Sequence, residues 1–214
     1  MIFIVMGFPT INQAQEVTHE IGIKTGINYF VWTNEFYTGL FKSQIRPNIG
    51  VEYQVNLMKR FSLKTSVNYQ KNVFTQDYSP WSPMDGYEID ISTPYNSKLI
   101  YKNEHLFIPI LANWSFGNKI KFFMNIGPSL NYEYNFTGEF DYNTNKEISG
   151  FGYTNFSLKY AFGFGFATPL GEKMVFKGEL MGNIGFPNHS HGYNQVEGLN
   201  TMLLLGVNYK LPSS

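Results

Sequence analysis

Residues 189–191 read His-Ser-His, and Glu197 follows six positions after His191. A histidine beside a hydroxyl, with a carboxylate in reach, is the material of a nucleophilic triad, in which the imidazole takes the hydroxyl proton. Two histidines two residues apart also have the spacing of a partial metal site. Against both readings stands the local composition. The stretch 187–198 is rich in Pro, Asn, His, Gly and Tyr, the make-up of a solvated loop tip. The chain has 4 histidines and no cysteine, so disulfides, thiolate metal sites and cysteine nucleophiles are excluded. We therefore assign no catalytic residue, no metal ligand and no cofactor, and expect a protein that is not an enzyme. Lipid modification through His189, Ser190 and His191 is the alternative chemistry.

A second set of residues that could do chemistry is charged. Lys24, Arg46, Lys64, Lys121, Lys159, Lys177 and Lys210, with Glu20, Glu52, Glu133 and Glu179, fall at every second position of segments otherwise filled by small and polar residues. Such charges could line an ion path or form a salt-bridged plug. A narrow interior favours the plug, because charges withdrawn from water must be paired and hydrogen-bonded. Register arithmetic places Glu52 diagonal to Lys64 and Lys159 diagonal to Glu179. Pro80-Trp81-Ser82-Pro83 offers an aromatic between two prolines, either a partner anchor or a side chain packed over the end of the fold.

The elements that must position these groups follow a period of two, the signature of strands. Eight segments alternate: about 20–29, 46–57, 61–70, 104–116, 120–134, 155–167, 173–186 and 199–211. In the sixth, Phe156, Leu158, Tyr160, Phe162, Phe164 and Phe166 oppose Asn155, Ser157, Lys159, Ala161, Gly163 and Gly165. Short turns at 58–60, 117–119 and 169–172 alternate with long polar stretches at 31–44, 71–98, 137–152 and 187–198. That alternation is how an up-and-down outer-membrane barrel distributes periplasmic turns and extracellular loops. No run of about 18 apolar residues exists for a helical span.

Which face points inward decides the class. An eight-stranded barrel encloses a space just wide enough to be filled by side chains. About five large apolar residues per strand cannot all enter it, and a soluble calycin-like carrier of lipophiles, the remaining alternative, would be left with an outer surface of Gly, Asn and Ser. Inverting the assignment puts the small and polar residues inside and the large apolar face in lipid, while closure satisfies the backbone groups. The expected fold is thus all-β: an eight-stranded antiparallel up-and-down transmembrane barrel in the cell outer membrane. Tyr29, Phe30, Trp32, Tyr69, Tyr132, Tyr134, Phe136 and Tyr209 lie near strand ends, where an aromatic girdle belongs. Pro109 and Pro128 cannot donate to a ladder. A turn centred on Asn118 would set Pro109 opposite Gly127, so one shared bulge is expected there.

Residues 1–14 read as an export signal: an apolar run, Met1 to Phe8, ends before a polar stretch with Ala14 at a plausible cleavage point. No basic residue precedes the run, so this segment is expected to be N-terminally incomplete. Residues 15–214 then form one barrel domain, with no linker or composition break.

Four pieces of sequence carry a resemblance: Gly22-Ile23-Lys24-Thr25-Gly26-Ile27-Asn28, Leu106-Phe107-Ile108-Pro109-Ile110-Leu111, Asn125-Ile126-Gly127-Pro128-Ser129 and Leu205-Gly206-Val207-Asn208-Tyr209-Lys210-Leu211. In this order they resemble the small outer-membrane β-barrel proteins of the Bacteroidota grouped as PorT-like. The resemblance implies an integral outer-membrane protein and, from its namesake, an accessory role in protein secretion. The chain departs from the usual aromatic terminus of such barrels by ending Leu211-Pro212-Ser213-Ser214. Expected partners are outer-membrane lipids and an extracellular or envelope protein reached through 71–98 and 137–152.

The charge balance supports the same orientation. The chain has 16 basic and 16 acidic residues and a net charge of zero, which gives no overall drive toward nucleic acid. The four long stretches nevertheless hold nine acidic residues (Glu35, Asp77, Asp85, Glu88, Asp90, Glu139, Asp141, Glu147, Glu197) against four lysines (Lys42, Lys71, Lys98, Lys146). Neutrality is the sum of an acidic extracellular rim and a basic periplasmic end.

Overall fold

The computed structural model describes residues 17–32, 41–78, 97–141, 146–148, 155–185 and 198–212. The expected export signal, 1–14, lies outside them. Among the described residues ten strands are present: β1 (Thr18–Trp32), β2 (Phe41–Ser43), β3 (Arg46–Met58), β4 (Phe61–Tyr78), β5 (Ser97–Phe116), β6 (Lys121–Asp141), β7 (Lys146–Ile148), β8 (Asn155–Pro169), β9 (Met174–Gly185) and β10 (Gly198–Lys210). Eight of them close in the order β1-β3-β4-β5-β6-β8-β9-β10, with β10 returning to β1, and every pairing is antiparallel. The remaining two are three-residue additions, β2 on β4 and β7 on β6. The expected eight-stranded barrel stands, and among the described residues two three-residue strands are added to it.

Period-two alternation becomes an inside-out barrel. Among the described residues 22 polar or charged side chains are buried against 11 apolar ones, while 33 large hydrophobic side chains are exposed. Water would not tolerate that surface. A bilayer requires it, together with a backbone whose hydrogen bonds are closed around the ring. Aromatic rings border the band. Trp114, Phe116 and Phe122 lie toward the short turns, with Phe61 against Trp114 at 4.7 Å and Phe116 against Phe122 at 6.0 Å. Tyr132 stacks on Phe156 and Tyr134 at 4.5 and 5.8 Å toward the other end, and Tyr29 and Tyr209 are exposed as expected of girdle residues. Phe30 is a correction: it turns inward, 8% exposed, and meets Phe74 edge-on at 5.3 Å. It shares the inner face with Asn28 because the strand alternation continues one residue pair further than the aromatic cluster suggested.

The two prolines also need correcting. Pro109 pairs with Ser129, not Gly127, because the β5–β6 turn runs through Ile120 and shifts the register by two. The ladder is interrupted between Pro109↔Ser129 and Ala112↔Ile126, and β4–β5 skips from Thr65↔Ile110 to Asn68↔Phe107. Register is the same on both sides of each gap, so the interruption is not a bulge. Pairing of Pro128 with Tyr160 on β8 is unbroken. Gly127 sits in the gap because a Cβ there would lie 2.0 Å from the Ile110 carbonyl oxygen. The real bulge is higher up, where Asn135 is inserted between Glu104↔Tyr134 and Asn103↔Phe136. Its φ of 63° is one that asparagine accepts more readily than most residues.

Within the stretches expected as loops at 71–98 and 137–152, the described residues 71–78, 97–98, 137–141 and 146–148 are strand. β4, β5 and β6 have 18, 20 and 21 residues, whereas about 9–11 suffice to cross the hydrocarbon. Pairing continues from Lys71↔Glu104 to Tyr78↔Ser97 and from Asn103↔Phe136 to Lys98↔Asp141. With β2 and β7 on its flanks this extension is a five-stranded blade, ordered β2-β4-β5-β6-β7. At about 3.3 Å per residue, its eight extra rows carry it on the order of 20 Å beyond the girdle.

Candidate functional site

Two features could do work, the lumen and the blade. The lumen's lower half, nearer the short turns, holds a compact charge cluster built from four neighbouring or facing strands. Glu20 and Lys24 come from β1, Glu52 from β3, Lys64 from β4, and Lys177 and Glu179 from β9. All six are buried. Glu52 is the hub, 3.5 Å from Lys24, 3.8 Å from Lys64 and 3.0 Å from Lys177. Lys64 donates to Glu179 at 2.6 Å across the barrel, and Lys177 lies 3.0 Å from Glu20. Three carboxylates meet three ammonium groups, so the cluster carries no net charge.

Neutral side chains complete the coordination. Gln54 accepts from Lys177 at 2.6 Å, Ser66 from Lys24 at 2.9 Å, and Asn125 donates to Glu179 at 2.6 Å. Asn208 donates to Glu52 at 3.0 Å, and the Lys64 ammonium rests 5.1 Å from the Phe123 ring centre. Buried charges are tolerated when paired and hydrogen-bonded on every side. A cavity of about 10 Å³ remains beside Lys24, Glu52, Lys177 and Glu179, space for about one water molecule.

Above the charges lies a layer that sequence reasoning missed. Phe107, Leu111, Ala161, Met181, Met202 and Leu204 pack together at 0–1% exposure. A lumen of small and polar residues was expected, and the correction has a simple cause. Once polar groups have satisfied one another, the middle of an eight-stranded barrel must still be filled, and apolar side chains fill it without leaving unpaired polar atoms. The available signal was apolar residues out of phase with the alternation, such as Leu204 inside Leu203-Leu204-Leu205 and Met181 after Leu180. Beyond that layer Gln70 accepts from Asn200 at 2.6 Å and contacts His105 Nε2 at 2.7 Å. The side-chain amides of Asn131 and Asn183 are buried there without a protein partner. The described lumen is therefore sealed twice, by ion pairs and by hydrocarbon.

The expected lumen charges fare differently. Glu52 and Lys64 are diagonal as expected, since Glu52 pairs with Ser66 and Gln54 with Lys64. Lys159 is not diagonal to Glu179: it pairs with Gly185, while Gly165 pairs with Glu179. The four-residue β8–β9 turn at 170–173 sets that register. Lys121 is exposed at the periplasmic mouth, and Lys210 donates to the Glu172 carbonyl at 3.3 Å. Arg46 stands at the extracellular side and donates to Gln44. His189, Ser190, His191 and Glu197 lie outside the described residues, as does Pro80-Trp81-Ser82-Pro83. Among the described residues no group of three His, Asp or Glu side chains is arranged to hold a metal ion.

On the blade, Lys71 pairs with Glu104 at 3.0 Å on the outward face. The blade strands hold Lys42, Lys71, Lys98, Lys102 and Lys146 against Asp77, Glu104, Glu139, Asp141 and Glu147, a balanced set. The acidic surplus of the extracellular end therefore falls at Glu35, Asp85, Glu88, Asp90 and Glu197, outside the described residues.

A closed antiparallel barrel with a lipid-facing apolar band, aromatic borders and a charge-paired interior defines an integral outer-membrane β-barrel protein. The model of the outer membrane protein beta-barrel domain matches residues 13–212, and the chain belongs to that family. Its site is the outer membrane. No curated protein matches the sequence significantly. Solved structures with the same fold include the outer membrane protein OprG from Pseudomonas aeruginosa, at 11% identity and a TM-score of 0.54, covering 92% of this chain and 98% of that one. The N-terminal β-barrel domain of Pseudomonas aeruginosa OprF aligns at 14% identity and a TM-score of 0.52, covering 93% of this chain and 100% of that one. At such identities the likeness extends to the fold alone.

Proposed function

We propose that this protein works as a non-enzymatic outer-membrane scaffold whose extracellular blade engages a protein partner, as an accessory to protein secretion of the PorT-like kind. The observation that carries the reading is the continuation of β4, β5 and β6 past the girdle as paired strands. Ordering that many backbone residues outside the membrane costs about 1–2 kcal/mol each. A barrel needing only to span would end in short loops. The sealed lumen supports the same reading, because a pore or a substrate chamber needs the space that the ion pairs and the Phe107–Met202 layer occupy. The layout that goes with it is an export signal over 1–14 and one barrel domain over 15–214.

The test compares secreted and surface proteomes of three strains: wild type, a deletion, and a strain in which residues 75–100 are replaced by an Asn-Gly turn that rejoins the pair Phe74↔Tyr101. Loss of the same exported proteins in the deletion and the shortened strain is expected. An unchanged proteome in the deletion removes the secretion role. A changed proteome in the deletion alone removes the blade as the working surface.

A further inference from the structure

The periplasmic end carries a feature that neither the lumen nor the blade uses. Lys59 and Arg60 form the β3–β4 turn, Lys119 and Lys121 flank the tip of the β5–β6 turn, and Lys173 closes the β8–β9 turn. All five are exposed, and Lys210 stands half-buried beside them. Among the described residues the one exposed acid at this end is Glu172, and none of the five exposed bases has a carboxylate within ion-pair distance. Glu20, the nearest acid inside the mouth, is already held by Lys177. Among the described residues, six bases face one exposed acid.

A second observation says what surrounds them. Each turn also exposes an apolar side chain next to its bases: Met58, Ile120 and Leu170 are 50–51% exposed. The turns are only two to four residues long, so they cannot carry their charges away from the membrane surface. Apolar side chains dip into the acyl boundary, and the lysine stems lie along it with their ammonium groups at headgroup level. A ring of bases fixed at that depth attracts negative lipid.

We infer that the periplasmic rim is a binding surface for anionic phospholipid headgroups, recruiting them into the inner-leaflet annulus of the barrel. The phosphodiester, whose negative charge no headgroup ammonium offsets, is read by Lys59, Arg60, Lys119 and Lys173 from three turns spaced around the mouth. A cell-wall polymer is the competing anion, and the depth of Met58, Ile120 and Leu170 favours the lipid.

The experiment uses the full chain in nanodiscs made of equal parts phosphatidylglycerol and phosphatidylethanolamine. Lipids retained per barrel after mild detergent extraction are counted by native mass spectrometry, for wild type and for a variant carrying Lys59→Gln, Arg60→Gln, Lys119→Gln and Lys173→Gln. Heat-modifiable gel mobility verifies that the variant is folded. Each base near an anionic surface contributes roughly a fivefold preference, so the wild type should retain phosphatidylglycerol several-fold over phosphatidylethanolamine. Half-molar salt should abolish the preference, and the variant, which keeps Lys121 and Lys210, should lose most of it. Equal retention by the wild type, or an undiminished preference in the variant, overturns the inference. So does co-sedimentation with purified cell-wall sacculi that the four substitutions abolish while lipid retention shows no preference.

Discussion

Glu52 is the residue on which the interior depends most, and Glu52→Gln is the perturbation that tests the charge-paired plug. Its carboxylate is 3% exposed and meets three ammonium groups at 3.0, 3.5 and 3.8 Å. At an effective dielectric of about 20 each contact is worth roughly 4–6 kcal/mol before desolvation is subtracted. Replacing it leaves Lys24, Lys64 and Lys177 facing Glu20 and Glu179, one uncompensated positive charge in the lumen. Gln54 still accepts from Lys177, which offsets part of the loss. Breaking a buried pair from one side costs about 3–5 kcal/mol. For a protein refolded in lipid vesicles that is a urea midpoint lower by about 2 M, taking a slope of about 2 kcal/mol per M. Tryptophan fluorescence reports the transition. The paired change Lys64→Met with Glu179→Leu removes a 2.6 Å contact but leaves two charges of each sign, so it should cost less than the sum of its single changes. A Glu52→Gln midpoint within 0.5 M of wild type, on the order of 1 kcal/mol at that slope, would refute the reasoning: the cluster would then be hydrated and its charges individually dispensable.

Three further outcomes are expected. Reconstituted wild-type protein should show no discrete channel openings in planar bilayers, because the described lumen leaves space beside its charges for about one water; stable openings in the wild type would mean the plug is not closed. Gly127→Ala should destabilise the barrel by about 1–3 kcal/mol, since the new Cβ meets the Ile110 carbonyl at 2.0 Å, and a neutral effect on the unfolding midpoint would show that β5 and β6 separate there easily. With Trp32 and Trp81 changed to Phe, Trp114, 54% exposed on the outer face, should be quenched strongly by lipids brominated near the headgroup and weakly by iodide; the reverse order would place that face in water.

The sequence and the structure divide the information along physical lines. Alternation of large apolar with small polar residues determined the strands and the class, because side chains on a strand can face only two ways and forty large ones cannot enter an eight-stranded lumen. It also determined that the lumen charges would pair: a lysine or glutamate facing inward has no water to turn to. Local pattern carries no record of register beyond a turn, however. The partner of Pro109 depended on where the turn at 117–120 is centred, which moved it two positions from Gly127 to Ser129. The partner of Lys159 depended on the separate turn at 170–173, which sets it opposite Gly185. Polarity was equally misleading for the blade. Residues 71–78 and 97–104 are rich in Lys, Asn, Gln and Asp and read as loop, but cross-strand hydrogen bonds to each other and to β6 hold them extended. The apolar layer around Phe107 and Met202 arises for the same kind of reason. Which way a residue faces was settled by its own strand, whereas what it meets across the lumen was settled by closure of the barrel, which brings Lys64 to Glu179 across 115 positions of chain.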